Sequence, residues 1–175
     1  MYLKIHWFFL FFIKKVLQSG KKRCIIGLER DKLGLMFIGE YNFNIDGSHR
    51  VNIPNSFKKD LEGTFVIAKG FEKCLYIFSS EQWRILSEKL NELSITKSAN
   101  RMFSRSFNAG AYETELDVKG RICINKKLYE YANLDKECVV LGVGNHIEIW
   151  DKKEYEKYLN ENPDIMATIS EELVI

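Results

Sequence analysis

The residues of this chain with the clearest chemical potential are an aspartate and an arginine four positions apart, and the pair occurs twice. Asp46 with Arg50 encloses one short polar segment, and Asp117 with Arg121 encloses another, 71 positions further along. Arginine presents a planar fork of N–H donors that fits a phosphate or the O6 and N7 acceptors of guanine. Aspartate in a turn accepts from backbone N–H groups or holds a guanidinium. The motifs therefore predict a nucleic-acid contact or, alternatively, an ion pair that only closes each turn.

Catalytic or metal chemistry would require residues that this sequence does not bring together. None of the three histidines recurs at the equivalent position of the other motif, and the four cysteines include no C-x-x-C pair. No phosphate-binding loop, nucleophile elbow or zinc-ligand pair is present. We therefore expect no enzymatic activity, no cofactor and no metal ion, and we interpret the thiols as structural, in a reducing compartment. Cys123 and Cys138 lie in strand patterns, where a thiol behaves as a small hydrophobe. The residues concerned are His6, His49 and His146 and Cys24, Cys74, Cys123 and Cys138.

The two motifs lie inside a repeat that extends well beyond them. Tyr41 and Ile53, on either side of the first motif, recur as Tyr112 and Ile124 around the second. Alternating apolar and polar residues predict a half-buried strand before each motif. Later in each copy come two apolar strand patterns and then a helix-start signal of the capping-box type, from Ser79 to Gln82 in the first copy and from Asp151 to Glu154 in the second. The predicted unit is strand, turn, strand, short helix, strand, turn, strand, helix, and it is written twice.

Each motif is predicted to form the tip of a hairpin, because 46–49 and 117–120 are rich in turn-forming residues. An apolar stripe predicts a helix at about 81–93 whose face packs against the rest of the domain. Between the copies, a further helix is expected to place three apolar side chains inward. They are Met102, Phe103 and Phe107, and the stripe consists of Trp83, Leu86, Leu90 and Leu93.

The domain organisation follows from the limits of the two copies. We expect a leader at 1–35, a first repeat at 36–93, a connecting helix at 94–108, a second repeat at 109–160 and a tail at 161–175. The leader holds 8 of the 26 basic and 2 of the 24 acidic residues, which leaves 18 basic and 22 acidic residues elsewhere. Its apolar run at 7–13 is too short to cross a bilayer, which needs about 20 residues. We expect no membrane partner, and we interpret the leader as translated upstream DNA or a disordered extension.

The repeated region, from Met36 to about Leu159, resembles the bacterial MraZ family. The resemblance rests on Met36 to Tyr41, Asp46 to Arg50, Ile53-Pro54, Arg101-Met102-Phe103, Gly110-Ala111, Leu116 to Arg121 and Gly144 to Trp150. It implies an α+β, mainly β fold: tandem duplicated swapped-hairpin, double-split β-barrel modules of the AbrB and SpoVT kind, with peripheral helices. It also implies a homo-oligomeric ring, an octamer or larger.

The same resemblance implies a cytoplasmic, nucleoid-associated transcription factor with double-stranded DNA as its partner and no small-molecule substrate. Its sites would be short G-rich direct repeats upstream of its own gene, which heads the cell-division and cell-wall operon. The alternative is an oligomeric scaffold whose arginine loops are subunit contacts.

The resemblance also assigns a role to each loop residue. Arg50 and Arg121 become base and phosphate readers, Asp46 and Asp117 their loop partners, and Lys119 a phosphate contact. Ser48 and His49 stand where the family usually has lysine and glycine. Two alternatives replace that glycine: Gly47 becomes the flexible point, or His49 itself takes the left-handed conformation, which histidine tolerates better than most residues.

Overall fold

The computed structural model describes residues 36–163 of the 175-residue chain, so the predicted leader and most of the predicted tail lie outside it. Within this range, eight strands and five helices follow in the order that the repeat predicts. The first half contains β1 (Phe37–Asn44), β2 (Arg50–Asn52), α1 (Asn55–Lys58), β3 (Phe65–Lys69), β4 (Leu75–Ser79) and α2 (Ser80–Asn91). After α3 (Ser98–Ala109), the second contains β5 (Tyr112–Thr114), β6 (Arg121–Cys123), α4 (Lys126–Tyr131), β7 (Glu137–Gly144), β8 (His146–Asp151) and α5 (Lys152–Glu161).

The two repeats exchange strands. One antiparallel sheet has the order β1-β7-β8-β4-β3-β5, and a separate two-stranded ribbon consists of β2 and β6. The first strand of each repeat pairs with the third strand of the other, β1 with β7 and β5 with β3. This is the swapped-hairpin arrangement that the resemblance implies. The simpler prediction, that the two strands beside each tip pair with each other as a hairpin, is wrong. Both strands pair with strands of the other repeat.

The ribbon of β2 and β6 has one face buried and one face outward, because successive side chains of a strand point to opposite sides. Val51 and Ile122 point inward and have no exposed surface. Their neighbours Arg50, Asn52 and Cys123 are exposed. The burial of the two apolar side chains therefore fixes which residues the ribbon presents to its surroundings.

The main core lies between the sheet and the ribbon. Phe37, Phe65, Ile67, Ile77, Ile147 and Ile149 contribute from the sheet, and Ile53, Phe57, Ile124 and Leu128 contribute from the ribbon side. A fully buried side chain of this size stabilises a fold by about 1.5 to 3 kcal/mol. Because α1 and α4 are anchored in this core by Phe57 and Leu128, the segments beside the two loop tips are held firmly.

A second apolar cluster covers the opposite face of the sheet. The predicted stripe of α2 packs there, with Leu90 at its buried centre. Phe103 and Phe107 of α3 also join this cluster, as predicted. Met102 does not: its side chain is 68 % exposed, so the prediction that it packs inward is wrong. We propose that α3 is the connecting helix expected at 94–108.

The caps of α2 and α5 use the predicted residues. The Ser79 hydroxyl accepts from the Gln82 amide at 3.3 Å, and Asp151 Oδ1 accepts from the amides of the first turn of α5. The reciprocal half of the capping box is not formed by Glu154, whose carboxylate accepts instead from Asn133 Nδ2 at 3.2 Å. Among the described helices, none is long and apolar enough to cross a membrane.

The cysteines fall into two environments. Cys74 and Cys138 are fully buried, and burial raises the pKa of the Cys138 thiol to about 12. Cys123, interpreted from its strand pattern as a small, structural hydrophobe, is exposed on the outer face of the ribbon. The interpretation was wrong here because the pattern gave a strand but not its inward face. Cys24 lies outside the described residues.

Candidate nucleic-acid interface

The first loop tip is closed by Asp46 through its backbone and its side chain. Asp46 Oδ1 accepts from the amides of Ser48 at 2.8 Å and Arg50 at 3.0 Å. The Asp46 amide donates to the Arg50 carbonyl, and the His49 amide donates to the Asp46 carbonyl. These bonds, above all the one from the Arg50 amide, hold the pKa of the Asp46 carboxyl below its ordinary value. The aspartate thus shapes the tip, as one of the two sequence interpretations predicted.

The second tip repeats this geometry at the equivalent atoms. Asp117 Oδ1 accepts from the amides of Lys119 at 2.9 Å and Arg121 at 3.0 Å. Here the arginine side chain binds as well: Arg121 Nε and Nη2 donate to Asp117 Oδ2 at 2.8 and 2.7 Å. The guanidinium lowers the pKa of Asp117 to about 2, and the carboxylate in turn raises the pKa of Arg121. The second tip therefore carries an internal ion pair.

Arg121 also reaches the first tip. Its Nη1 lies 3.2 Å from Asp46 Oδ2, so one guanidinium binds the aspartates of both loops. The Arg121 side chain is only 21 % exposed. By contrast, the Arg50 side chain is exposed and makes no hydrogen bond or ion pair within residues 36–163. The two arginines, equivalent in sequence, therefore have different surroundings.

The residue before each arginine adopts the left-handed backbone conformation. His49 has a φ of 57° and Gly120 a φ of 72°. Gly47 is not in this region, so the prediction that it replaces the usual glycine as the flexible point is wrong. Histidine occupies the position itself, at a steric cost that glycine would not have.

Each of these left-handed residues is covered by a residue of the adjacent short helix. The Tyr129 ring of α4 stacks on the His49 ring, with centroids 3.9 Å apart and planes 13° from parallel. At the other tip, the end of the Lys58 side chain of α1 lies against Gly120, where an added Cβ would collide with it. Positions 58 and 129 are equivalent in the two copies. The sequence analysis did not include either residue in the predicted site. Their equivalent positions in the two short helices could have identified them.

The tips and the ribbon form one outward surface. In the register of β2 with β6, Arg50 faces Cys123 and Asn52 faces Arg121. Lys119 and Ser48 are exposed in their loops, and Val118, at the end of the second tip, is fully exposed. The loops with the other predicted residues thus flank the outer face of the ribbon on which Arg50 and Arg121 lie. Among the described residues, no group of His, Cys, Asp or Glu side chains is suited to hold a metal ion.

An open groove runs beside the first tip, lined in part by His49, Tyr129 and Lys136. Lys152 and Lys153 also line it, but they pair with Glu137 and Asp135 at 3.5 and 4.0 Å. The groove is therefore of mixed charge.

The fold and this surface define a class of protein: two interleaved repeats that present paired Asp–Arg loops on one ribbon. The family model described as "MraZ protein, putative antitoxin-like" matches residues 36–106 and again residues 107–174. The chain belongs to the MraZ family. This confirms the resemblance found in the sequence. It also supports a regulatory, DNA-binding role at the level of the family, which is one of regulators and not of enzymes.

Proposed function

We propose that this protein is a sequence-specific transcriptional regulator that binds double-stranded DNA through the outer face of the β2–β6 ribbon and its two loop tips. Its sites are short G-rich direct repeats upstream of its own gene, at the head of a division and cell-wall operon. The observation that carries the proposal is the placement of Arg50 and Arg121 on the outer face of the ribbon, with the exposed Lys119 in the adjoining loop. Membership of a regulator family supports the same role.

A two-stranded ribbon with arginines on its outer face suits such binding. The major groove is about 12 Å wide and admits a two-stranded β-ribbon. The Arg50 guanidinium makes no hydrogen bond or ion pair in the described part of the chain and can offer its fork to guanine O6 and N7. Lys119 and Lys58, beside the second tip, suit contacts to phosphate. The first tip has Ser48 in place of a cation, so the two tips differ in charge.

The mildly acidic composition of the repeated region agrees with a protein that reads a few sites through a local basic patch. Repetition of that patch in a ring, an octamer or larger, would multiply weak single contacts. Exposed apolar side chains on the helical side of the sheet support self-association. Ile95 is 77 % exposed, Met102 68 % and Phe71 47 %, and the Phe71 ring stacks on Phe103.

The test is a footprint on the DNA upstream of the gene, followed by anisotropy titrations of that DNA and of a scrambled duplex at several salt concentrations. We expect protected direct repeats and a preference for the natural sequence. Arg50→Ala with Arg121→Ala should abolish the preference. Arg84→Ala is the matched control, because Arg84 pairs with Glu88 at 2.6 Å on α2, across the sheet from the ribbon. Equal affinity for both duplexes in the unmodified protein would refute sequence-specific reading.

The scaffold alternative makes a different prediction for the same variants. If the arginine loops were subunit contacts, the double arginine variant would lose its assembly. Light scattering at micromolar concentration distinguishes the two cases. An oligomer that keeps its mass but no longer binds DNA supports the regulator, whereas dissociation into monomers supports the scaffold.

A further inference from the structure

The guanidinium of Arg121 joins the two repeats at their loop tips. It donates to Asp117 Oδ2 through Nε and Nη2 and to Asp46 Oδ2 through Nη1. Three of the five N–H donors of the side chain are therefore occupied. Each aspartate uses its other oxygen, Oδ1, for the amides of its own loop. One side chain thus connects two loops whose own shapes depend on the carboxylates that it binds.

Arg50 occupies the equivalent position of the first repeat but does not reproduce these bonds. Asp46 Oδ2, the oxygen equivalent to the one that Arg121 binds in its own loop, accepts from Arg121 Nη1 and not from Arg50. Arg50 and Arg121 are diagonal neighbours on the outer face of the ribbon. Two free guanidinium groups at this spacing would repel each other, and the bonds to Asp46 and Asp117 hold that of Arg121 in place. The bridge therefore leaves Arg50 as the exposed charge.

We propose that the two arginines have different roles: Arg121 is a positioning residue that fixes the two tips relative to each other, and Arg50 makes the contact with DNA. This inference rests on the proposed function, since it assigns roles within the same surface. For Arg121 to read a base with the atoms that it now uses, it would have to give up bonds to two carboxylates. Arg50 would give up none within residues 36–163.

The experiment isolates the bridge with Asp46→Asn. The asparagine oxygen can still accept from the amides of Ser48 and Arg50, whereas its NH2 group cannot accept from Arg121. Hydrogen exchange of the amides in the first loop reports the bridge directly. We expect faster exchange there in Asp46→Asn and in Arg121→Ala, and unchanged exchange in Arg50→Ala. Arg121→Lys should behave like Arg121→Ala, because a lysine keeps the charge but not the fork.

DNA titrations complete the test. Arg50→Ala should reduce the preference for the natural repeats by about tenfold or more, the scale of one lost bidentate base contact. Arg121→Ala should weaken binding several-fold with the salt dependence unchanged, because no phosphate contact is removed. Combining Arg121→Ala with Asp46→Asn should weaken binding no further than Arg121→Ala alone, since both break one interaction.

The outcomes separate the two proposals. Rescue of DNA binding by Arg121→Lys, or lost binding in Arg121→Ala with unchanged exchange in the first loop, would make Arg121 a direct contact. Either result would overturn this inference while leaving the proposed function intact. Unchanged binding in every arginine variant would overturn the proposed function together with the role of Arg50.

Discussion

Val51 of β2 and Ile122 of β6 face each other in the ribbon, and they occupy equivalent positions in the two repeats. An approximate two-fold axis therefore passes between them. In the large sheet, Tyr76 and Glu148 pair in the same way, although their side chains differ. Because of this axis, residues at equivalent repeat positions lie symmetrically about the ribbon. This is the physical reason that two motifs far apart in sequence share one face.

The left-handed residue of the second tip should tolerate no side chain. Gly120→Ala would place a Cβ at a φ of 72° and against the end of Lys58, so we expect a loss of about 1 to 2 kcal/mol of stability. Gly47→Ala is the control, because a Cβ there meets nothing within 4 Å and the backbone is not left-handed. Its stability should change by less than about 0.5 kcal/mol. Equal denaturation midpoints for the two variants would contradict this account.

The stack of Tyr129 on His49 should stabilise the first tip. Tyr129→Ala removes an aromatic pair worth about 0.5 to 1.5 kcal/mol and should also weaken DNA binding a few-fold, because the loop loses its cover. Tyr129→Phe keeps the ring and loses only the hydroxyl bond to the Asp135 carbonyl at 2.7 Å. Proton chemical shifts of the His49 ring report the stack. These chemical shifts should change in Tyr129→Ala and stay the same in Tyr129→Phe. Chemical shifts that neither substitution changes would show that the rings do not stack.

Much of the local structure could be predicted from the sequence. Period-two alternation, capping signals and the stripe of α2 gave the order of the elements, because each depends on neighbours along the chain. The pairing of strands between repeats depends on distant residues, and it came only from the family resemblance. Patterns also could not separate an inward from an outward strand position, which explains the error at Cys123.

The loops show the same limit at the level of single contacts. The Asp–Arg spacing predicted a closed turn, and both aspartates do close their tips. It could not predict that Arg121 would bind Asp46, 75 positions away, since that contact depends on the ribbon bringing the repeats together. Nor could it distinguish Arg50 from Arg121, which occupy identical places in their motifs.

Acid should weaken the loop tips within a defined pH window. The pKa of Asp117 is lowered to about 2, and that of Asp46 is lowered as well, against an ordinary value of 3.8. The unfolded chain therefore binds more protons than the folded one between about pH 4 and pH 2. The stability that these carboxylates provide is present above this window and is lost as the pH falls through it.

NMR titration of the aspartate carboxyl carbons measures this effect. Asp117 should titrate near pH 2 in the native protein and closer to the ordinary value in Arg121→Ala, which removes the main cause of the shift. Asp117→Asn should reduce the loss of stability between about pH 4 and pH 2. Asp60→Asn is the control, because Asp60 makes no side-chain hydrogen bond or ion pair in the described part of the chain. A native Asp117 that titrates near pH 4 would contradict the ion pair.

Thiol labelling should distinguish the outer face of the ribbon from the core. In a Cys24→Ser background, Cys123 is the one exposed thiol among residues 36–163 and should react first with a maleimide. Cys74 and Cys138 should react only on unfolding, because both are fully buried and burial raises the pKa of both thiols, which disfavours the reactive thiolate. Mass spectrometry of the native and urea-unfolded protein counts the labels.

The labelled protein then tests the DNA-binding face. Cys123 is the direct partner of Arg50 across the ribbon. A maleimide attached there would therefore keep DNA from approaching the outer face of the ribbon. We expect labelling to weaken binding of the natural repeats by at least tenfold, with no change in oligomer mass. Cys123→Ser should make the binding insensitive to the reagent, which excludes modification elsewhere as the cause. Full affinity after complete labelling of Cys123 would show that DNA does not approach this face.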